Sequence, residues 1–280
     1  MPRHTHVIFS AAILLALVVS SVLSVGPAYA ATFTVNTTAD SVDANPGNGV
    51  CADSGGACSL RAAIMEANAL AGADVITLPV GTYLLTLPGA DNTGAGGDLD
   101  ITESLTITGA GSGSTTIQQT VSGERVIHIV LDVTVSISGV TITGGSGTTG
   151  QGGSGIYNNG TLTVNNSVIT GNTTTYQGGG IYNNSGTLTI TNSTISNNSA
   201  ARRGGGILTT GSGALTVTNS VIESNTASGT NSFDGGGGIH HARHHRARQH
   251  LPQQPVQRRF ARRWGHFCQR WNNRNHGQPV

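Results

Sequence analysis

The sequence predicts an all-β fold, a right-handed parallel β-helix with a short capping helix at its N-terminal end and an irregular C-terminal tail. Three observations carry that expectation. A block of about two dozen residues recurs, apolar and polar residues alternate inside each block, and glycine and asparagine clusters separate the alternating stretches. Charged residues make up only 10% of the chain and there are 41 glycines, a composition that disorder would also allow. The regular placement of the β-branched residues decides for a fold.

The repeat is clearest in the middle of the chain. Residues 152–172 read GGSGIYNNGTLTVNNSVITGN, residues 178–198 read GGGIYNNSGTLTITNSTISNN, and residues 204–225 read GGGILTTGSGALTVTNSVIESN. The matching Ile156, Ile181 and Ile207 are 25 and 26 residues apart, and a fourth copy opens at Gly235 and reaches Ile239. Each copy holds three short stretches with period-two alternation, the mark of strands with one buried face. Gly and Asn between them supply left-handed backbone and local side-chain bonds for corners. Three strands per block fit one coil of a solenoid, stacked about 4.8 Å from the next. A propeller blade needs about forty residues, and the period is too short for one. The inward ladders are expected at Leu162, Val164 and Val168, with Leu188, Ile190, Ile195 and Leu215, Val217, Ile222 as equivalents. Asn166, Asn192 and Asn219 fall at one corner, where a stack of amides along the axis is expected.

Less regular coils precede these. Strands are expected at Asp74–Leu78, Tyr83–Leu87, Leu99–Ile101 and Leu105–Thr108, and a further coil at Val126–Ile129, Val133–Ser138 and Val140–Thr143. The β-helix region is thus 74–239.

The N-terminus reads as an export signal over residues 1–30. Arg3, His4 and His6 precede an apolar run from Val7 to Val25, and Ala28-Tyr29-Ala30 places small residues where a signal peptidase requires them, with cleavage after Ala30. An uncleaved membrane anchor is the alternative; the run is short for a span. The expected location is therefore secreted, at the cell surface or in the outer membrane of a bacterium. In that oxidising setting Cys51 and Cys58 are close enough in sequence to pair and staple a local loop.

Residues 31–73 form the cap region. Thr32–Val35 reads as a strand. Leu60–Asn68 reads as a short amphipathic helix with Leu60, Ile64 and Ala67 on one face and Ser59 as N-cap. The residues singled out here are Leu60, Arg61, Ile64, Glu66 and Asn68. One Arg and one Glu make no reaction, so Arg61 and Glu66 are assigned to the cap fold. The stretch Thr34–Asp40, Cys51, the run CSLRAAIMEAN, and Asp74–Pro79 followed by Gly81-Thr82-Tyr83 resemble the CSLREA-type N-terminal region of secreted bacterial β-helix proteins, among them polymorphic outer-membrane proteins. Ala62 and Ala63 stand where that pattern has Glu-Ala. The resemblance implies a helical cap over the open end of the solenoid, which would otherwise expose strand edges.

Charge divides the chain sharply. Between Ala31 and Ile239 four arginines face thirteen acids, a balance of −9, whereas residues 240–280 carry nine arginines and no acid. Seven of the ten histidines and the lone Cys268 also lie in that tail. Read one base later, the codons of Trp264-Gly265 and Trp271-Asn272 each force a glycine. The stretch from Arg263 can then read Gly-Gly-Gly-Ile-Phe-Val-Asn-Gly-Gly, the opening of another coil. The tail is accordingly read as a shifted frame, probed by sequencing the gene through the junction. A basic nucleic-acid-binding tail and a metal-binding cluster of His240, His241, His244 and His245 are the alternatives.

Chemistry is sparse. In the repeats from Ile156 to Asn225 the only acid is Glu223 and the only bases are Arg202 and Arg203. Asp98, Asp100, Arg125 and Asp132, with His128 nearby, are the remaining candidates for a groove. Asp98 and Asp100 alternate, so both can point to one side of a strand, although acids at strand ends are ordinarily solvated. No Gly-Gly-x-Gly-x-Asp calcium repeat occurs, and no catalytic residue, metal or cofactor is called for. The expected function is a structural, adhesive or glycan-binding surface protein, with a surface glycan or another surface protein as partner and no nucleic acid. The alternative is a polysaccharide lyase or glycoside hydrolase with its site near Asp98–Asp132 or in further coils. The near-identical, charge-poor repeats favour the first.

Overall fold

A stretch with one apolar face can bury it only against another such face, and short stretches joined by corners do so by winding round a common axis. That is the arrangement in the computed structural model, which describes residues 30–241 apart from 90–92, 149, 151 and 231–234. The N-terminal part holds β1 (Thr32–Thr34), α1 (Leu60–Ala69), β2 (Asp74–Leu78) and β3 (Gly81–Leu85). Next comes a coil of β4 (Leu99–Ile101), β5 (Leu105–Gly109) and β6 (Thr115–Gln119). The following coil is β7 (Ile127–Ile129), β8 (Thr134–Ser138) and β9 (Thr141–Thr143).

The three close repeats each add a two-residue fourth strand. They are β10 (Ile156–Asn158), β11 (Thr161–Asn165), β12 (Val168–Thr170) and β13 (Thr173–Thr174); then β14 (Ile181–Asn184), β15 (Thr187–Thr191), β16 (Thr194–Ser196) and β17 (Ser199–Ala200). The last is β18 (Ile207–Thr210), β19 (Ala214–Thr218), β20 (Val221–Glu223) and β21 (Thr226–Ala227), after which β22 (Ile239–His241) starts another coil.

Strands one coil apart pair in parallel. The first sheet runs β1-β2-β5-β8-β11-β15-β19, the second β22-β18-β14-β10-β7-β4, and the third β20-β16-β12-β9-β6-β3. The register keeps like over like. Ile76, Ile107, Ile137, Val164 and Ile190 form one inward column of the first sheet, and all five are fully buried. Each such side chain contributes roughly 1.5–3 kcal/mol by leaving water. The expected β-helix is thus the fold observed.

Two expectations about its interior are corrected. Ile169 carries the ladder of the third sheet; it pairs with Ile142 and Ile195 and is fully buried, while Val168 faces outward over Thr141 and Thr194. The reason lies at the preceding corner. Asn166 takes a left-handed backbone (φ 48°), as do Asn192 and Asn219, and the next residue, Ser167, turns inward to accept from Val140 N. Asn166 is exposed and does not stack. The amide ladder is Asn172–Asn198–Asn225, its first two members fully buried and Asn225 half-buried. Asn172 Nδ2 donates to Asn198 Oδ1 (3.0 Å) and Asn198 Nδ2 to Asn225 Oδ1 (3.0 Å). Each amide also bonds backbone of the coil before it, as Asn198 Nδ2 does with Ile169 O (2.9 Å). β6 and the two-residue strands were not expected, and the strand expected at Tyr83–Leu87 lies at Gly81–Leu85.

α1 closes the N-terminal end against β2 and β4. Ser59 Oγ accepts from Ala62 N (3.0 Å), capping its first turn. Leu60, Ala63, Ile64 and Ala67 face the core. β1, within the segment assigned to the cap, is the first strand of the first sheet. At the other end β22 keeps register past Ile239, with His240 over Leu208 and His241 over Thr209. Residues 1–29 of the expected signal and 242–280 of the tail lie outside the described residues.

Candidate functional site

Alternation in the second sheet sends Ile156 and Asn158 inward and the residue between them outward. One outer row is therefore Asp100, His128, Tyr157, Tyr182, Leu208 and His240, each directly over the last. Two residues further along each strand, Asn159, Asn184 and Thr210 follow.

Polar contacts run along this face from coil to coil. His128 Nδ1 lies 2.8 Å from Asp100 Oδ1, and Asn159 Nδ2 lies 3.5 Å from His128 Nε2. Asn184 Nδ2 donates to Asn159 Oδ1 (3.1 Å) and to the Tyr157 hydroxyl (3.0 Å). Thr210 Oγ1 meets Asn184 Oδ1 (3.2 Å) and the Tyr182 hydroxyl (3.3 Å). The rings of His128, Tyr157 and Tyr182 meet edge to face, with centroids 5.4 and 5.1 Å apart. Tyr157, Asn159, Tyr182, Asn184 and Thr210 are all half-buried.

The acids at the head of the row are not solvated, as strand-end acids were expected to be. Asp98 is 2% exposed and Asp100 fully buried. Arg125 Nε bonds Asp98 Oδ2 at 2.7 Å, and its guanidinium lies over the Tyr157 ring, 5.2 Å from the centroid. Burial pushes the Asp100 carboxyl above its ordinary value; the His128 bond opposes that, and the charge of Asp98 adds to it. Burial likewise raises the Tyr157 hydroxyl. The cap is the cause of this burial. Arg61, fully enclosed, bonds Asp40 through Nε (2.6 Å) and donates to the carbonyls of Gly94 (2.8 Å) and Gly97 (3.0 Å). That holds the 93–98 segment over the strand, and Gly94 N donates to Asp100 Oδ2 (3.3 Å). Asn68 Nδ2 donates to Asp100 O (2.8 Å) and its Oδ1 accepts from Thr102 N (2.9 Å). Glu66 accepts from the amides of Gly47 and Gly49. Cys51 and Cys58 are joined in a disulfide that closes the loop before α1.

The four-residue groove read from the sequence therefore divides. Asp98, Asp100 and Arg125 meet, with His128. Asp132 stands apart, exposed on a left-handed corner (φ 65°). It lines a shallow polar notch with Asn159, Thr161, Ser185 and Thr187. Asn159 belongs to both the notch and the row, and so makes them one continuous surface. The row of Tyr and Asn was absent from the sequence-based candidates; the repeated Ile-Tyr-Asn-Asn was its signal. One donor atom each from Asp98, Asp100 and His128 lie within 4.8 Å of one another. Arg125 and the His128 bond already engage them, so a cation would have to displace both.

The outer face of the first sheet is different in kind. Thr106, Ser136, Thr163, Thr189 and Thr216 form one row, and Thr34, Thr77, Thr108, Ser138, Asn165, Thr191 and Thr218 another. These rows carry no charge.

Against known proteins, the profile of the right handed beta helix region matches residues 101–244. The chain belongs to that family. The match starts inside β4, takes in every later described strand and so spans the Tyr and Asn row. No curated protein and no solved structure matches the chain. Among the described residues no helix is long and apolar enough to cross a membrane.

Proposed function

We propose that this β-helix protein is exported to the bacterial surface or medium and binds glycan along the outer face of its second sheet, from His128 to Thr210 and into the Asp132 notch. The observation that supports this is the continuous row of half-buried Tyr, Asn and Thr groups. Tyrosine offers an apolar ring beside a polar tip, and amides and hydroxyls match the hydroxyls of a sugar chain. Apart from Asp132, the charged groups beside it are held in pairs. The cap contacts of Arg61, Glu66 and Asn68 support kinship with the CSLREA-type proteins, whose export this reading shares.

Affinity electrophoresis through gels containing neutral or uronic polysaccharides tests the proposal. Retardation is expected in at least one gel. Asn159→Ala and Asn184→Ala should each weaken it about three- to tenfold, the loss of one or two hydrogen bonds. Unretarded migration in every gel, or retardation untouched by both substitutions, sinks it.

One observation favours cleavage instead. Buried Asp100 fixes the His128 imidazole through Nδ1, the way an oriented base is held. Glycoside hydrolysis commonly uses two free carboxyls flanking a bond, whereas Asp98 and Asp100 are buried and paired. Release of unsaturated or reducing ends by the wild type, lost in His128→Ala, would establish the enzymatic reading over binding alone.

A further inference from the structure

Another buried carboxylate lies at the far end of the molecule from the Thr210 end of the row. Asp74 opens β2 and is fully enclosed. Its Oδ1 accepts from Ala31 N at 2.6 Å, while its Oδ2 has no hydrogen-bond partner among the described residues. Leaving one oxygen of a buried carboxylate bare is costly, and a single amide hydrogen does little to offset it. Ala31 is held there independently of the carboxylate, since its carbonyl accepts from Val75 N (2.9 Å) as part of the β1–β2 ladder. The residue before it, Ala30, is exposed and ends the Ala28-Tyr29-Ala30 sequence.

We propose that Asp74 is the receptor for the α-ammonium group formed when a signal peptidase cuts between Ala30 and Ala31. In that cut the oxygen of water joins the Ala30 carbonyl carbon and the C–N bond breaks. Ala30 leaves as a carboxylate, and both water protons end on the nitrogen of Ala31. A neutral donor of one hydrogen becomes a cation with three, beside a carboxylate with one oxygen unused. The ion pair forms inside the ladder that joins β1 to β2. Processing thereby fastens the first strand of the solenoid, and the precursor lacks that fastening. The inference rests on the export reading above and is independent of glycan binding.

The test uses the full gene expressed with secretion. Intact mass of the exported protein should place its N-terminus at Ala31; any other N-terminus overturns the proposal, whatever the polysaccharide gels show. The sequence contains no lysine, so the α-amine is the only amine that mild acetylation modifies. Its half-reaction pH in the folded protein should lie above the ordinary value of about 8; a value at or below that overturns the pairing. Acetylation should lower the folding equilibrium constant by tenfold or more in the wild type and leave Asp74→Asn unchanged. An equal effect in both proteins would refute a partnership between the two groups. The half-reaction measurement needs no variant and stands even if Asp74→Asn fails to fold.

Discussion

Val168 and Ile169 are neighbours of nearly the same size, yet only Ile169 is packed. Ile169→Ala should therefore cost about 2–5 kcal/mol in urea unfolding, and Val168→Ala about 0.5 kcal/mol or less. Equal losses would contradict the register. The sequence could not separate them. A three-residue strand of two β-branched residues shows no alternation of its own, and its phase is set by the left-handed Asn166 and inward Ser167 before it. The amide ladder was misplaced for a related reason, since each of the three close repeats offers asparagines at two corners. The distinguishing sign was local: Asn172, Asn198 and Asn225 each follow a residue with positive φ, namely Gly171, Asn197 and Ser224. Asp100 gives a second prediction at this scale. Its folded carboxyl is raised, chiefly by burial, so the folded chain holds that proton more firmly than the unfolded one. Its contribution is thus most favourable below about pH 3.9, the unfolded value, and is lost as pH rises through the folded value. Asp98, Arg125 and His128 share the site, so Asp100→Asn is the reference. As pH rises from about 3.9 through the raised folded value, the wild-type urea midpoint should fall relative to that variant. A constant difference would refute the assignment.

At the scale of elements, α1 and the segments beside it act as one joint. Arg61 connects the helix to Asp40, and Asp40 in turn accepts from Thr86 N and Leu87 N (2.7 and 2.9 Å). Arg61→Ala would leave the buried Asp40 side chain without its counter-ion and the Gly94 carbonyl without the guanidinium, a loss of about 3–5 kcal/mol. Lysine should not restore it, because a point charge cannot reproduce the fork. Reducing the Cys51–Cys58 bond, or replacing both residues by serine, should cost about 2–3 kcal/mol, as expected for a short closed loop. The helix itself was legible from Ser59 and the spacing of Leu60, Ile64 and Ala67. What the joint covers was not. Asp98 and Asp100 read as solvated because Arg61, which holds the 93–97 backbone over them, and Asn68, which bonds the Asp100 carbonyl, lie more than thirty residues away in sequence. β6 was missed because Thr-Thr-Ile-Gln-Gln carries one apolar residue, Ile117, which stacks in register between Tyr83 and Ile142.

For the whole molecule, each coil touches chiefly the coils before and after it, so stability is close to a sum of nearest-neighbour terms. The period alone made this architecture legible, because near-identical blocks can satisfy one another only by stacking. The terms are not equal along the axis. Leu188, Ile190 and Ile195 are fully buried, whereas Leu215, Val217 and Ile222, one coil on, are partly exposed. Amide hydrogen exchange should accordingly be fastest in β19–β21 and slowest in β8–β15. Uniform protection would mean a single cooperative unit. Sequencing the gene from the codon of Gly235 onward should reveal a one-base shift near Ile239, and a single frame with unchanged codon usage would return the basic tail to consideration.

The in-register ladders also bear on how such a molecule changes over generations. Where Ile156 sits over Ile181 and Ile181 over Ile207, each coil presents the same upper and lower surface to its neighbours. Unequal recombination between the matching stretches of the gene would then insert or delete a whole coil without disturbing those around it. Length can vary in steps of about 4.8 Å, while the cross-section, and the chemistry displayed on each side, stays constant.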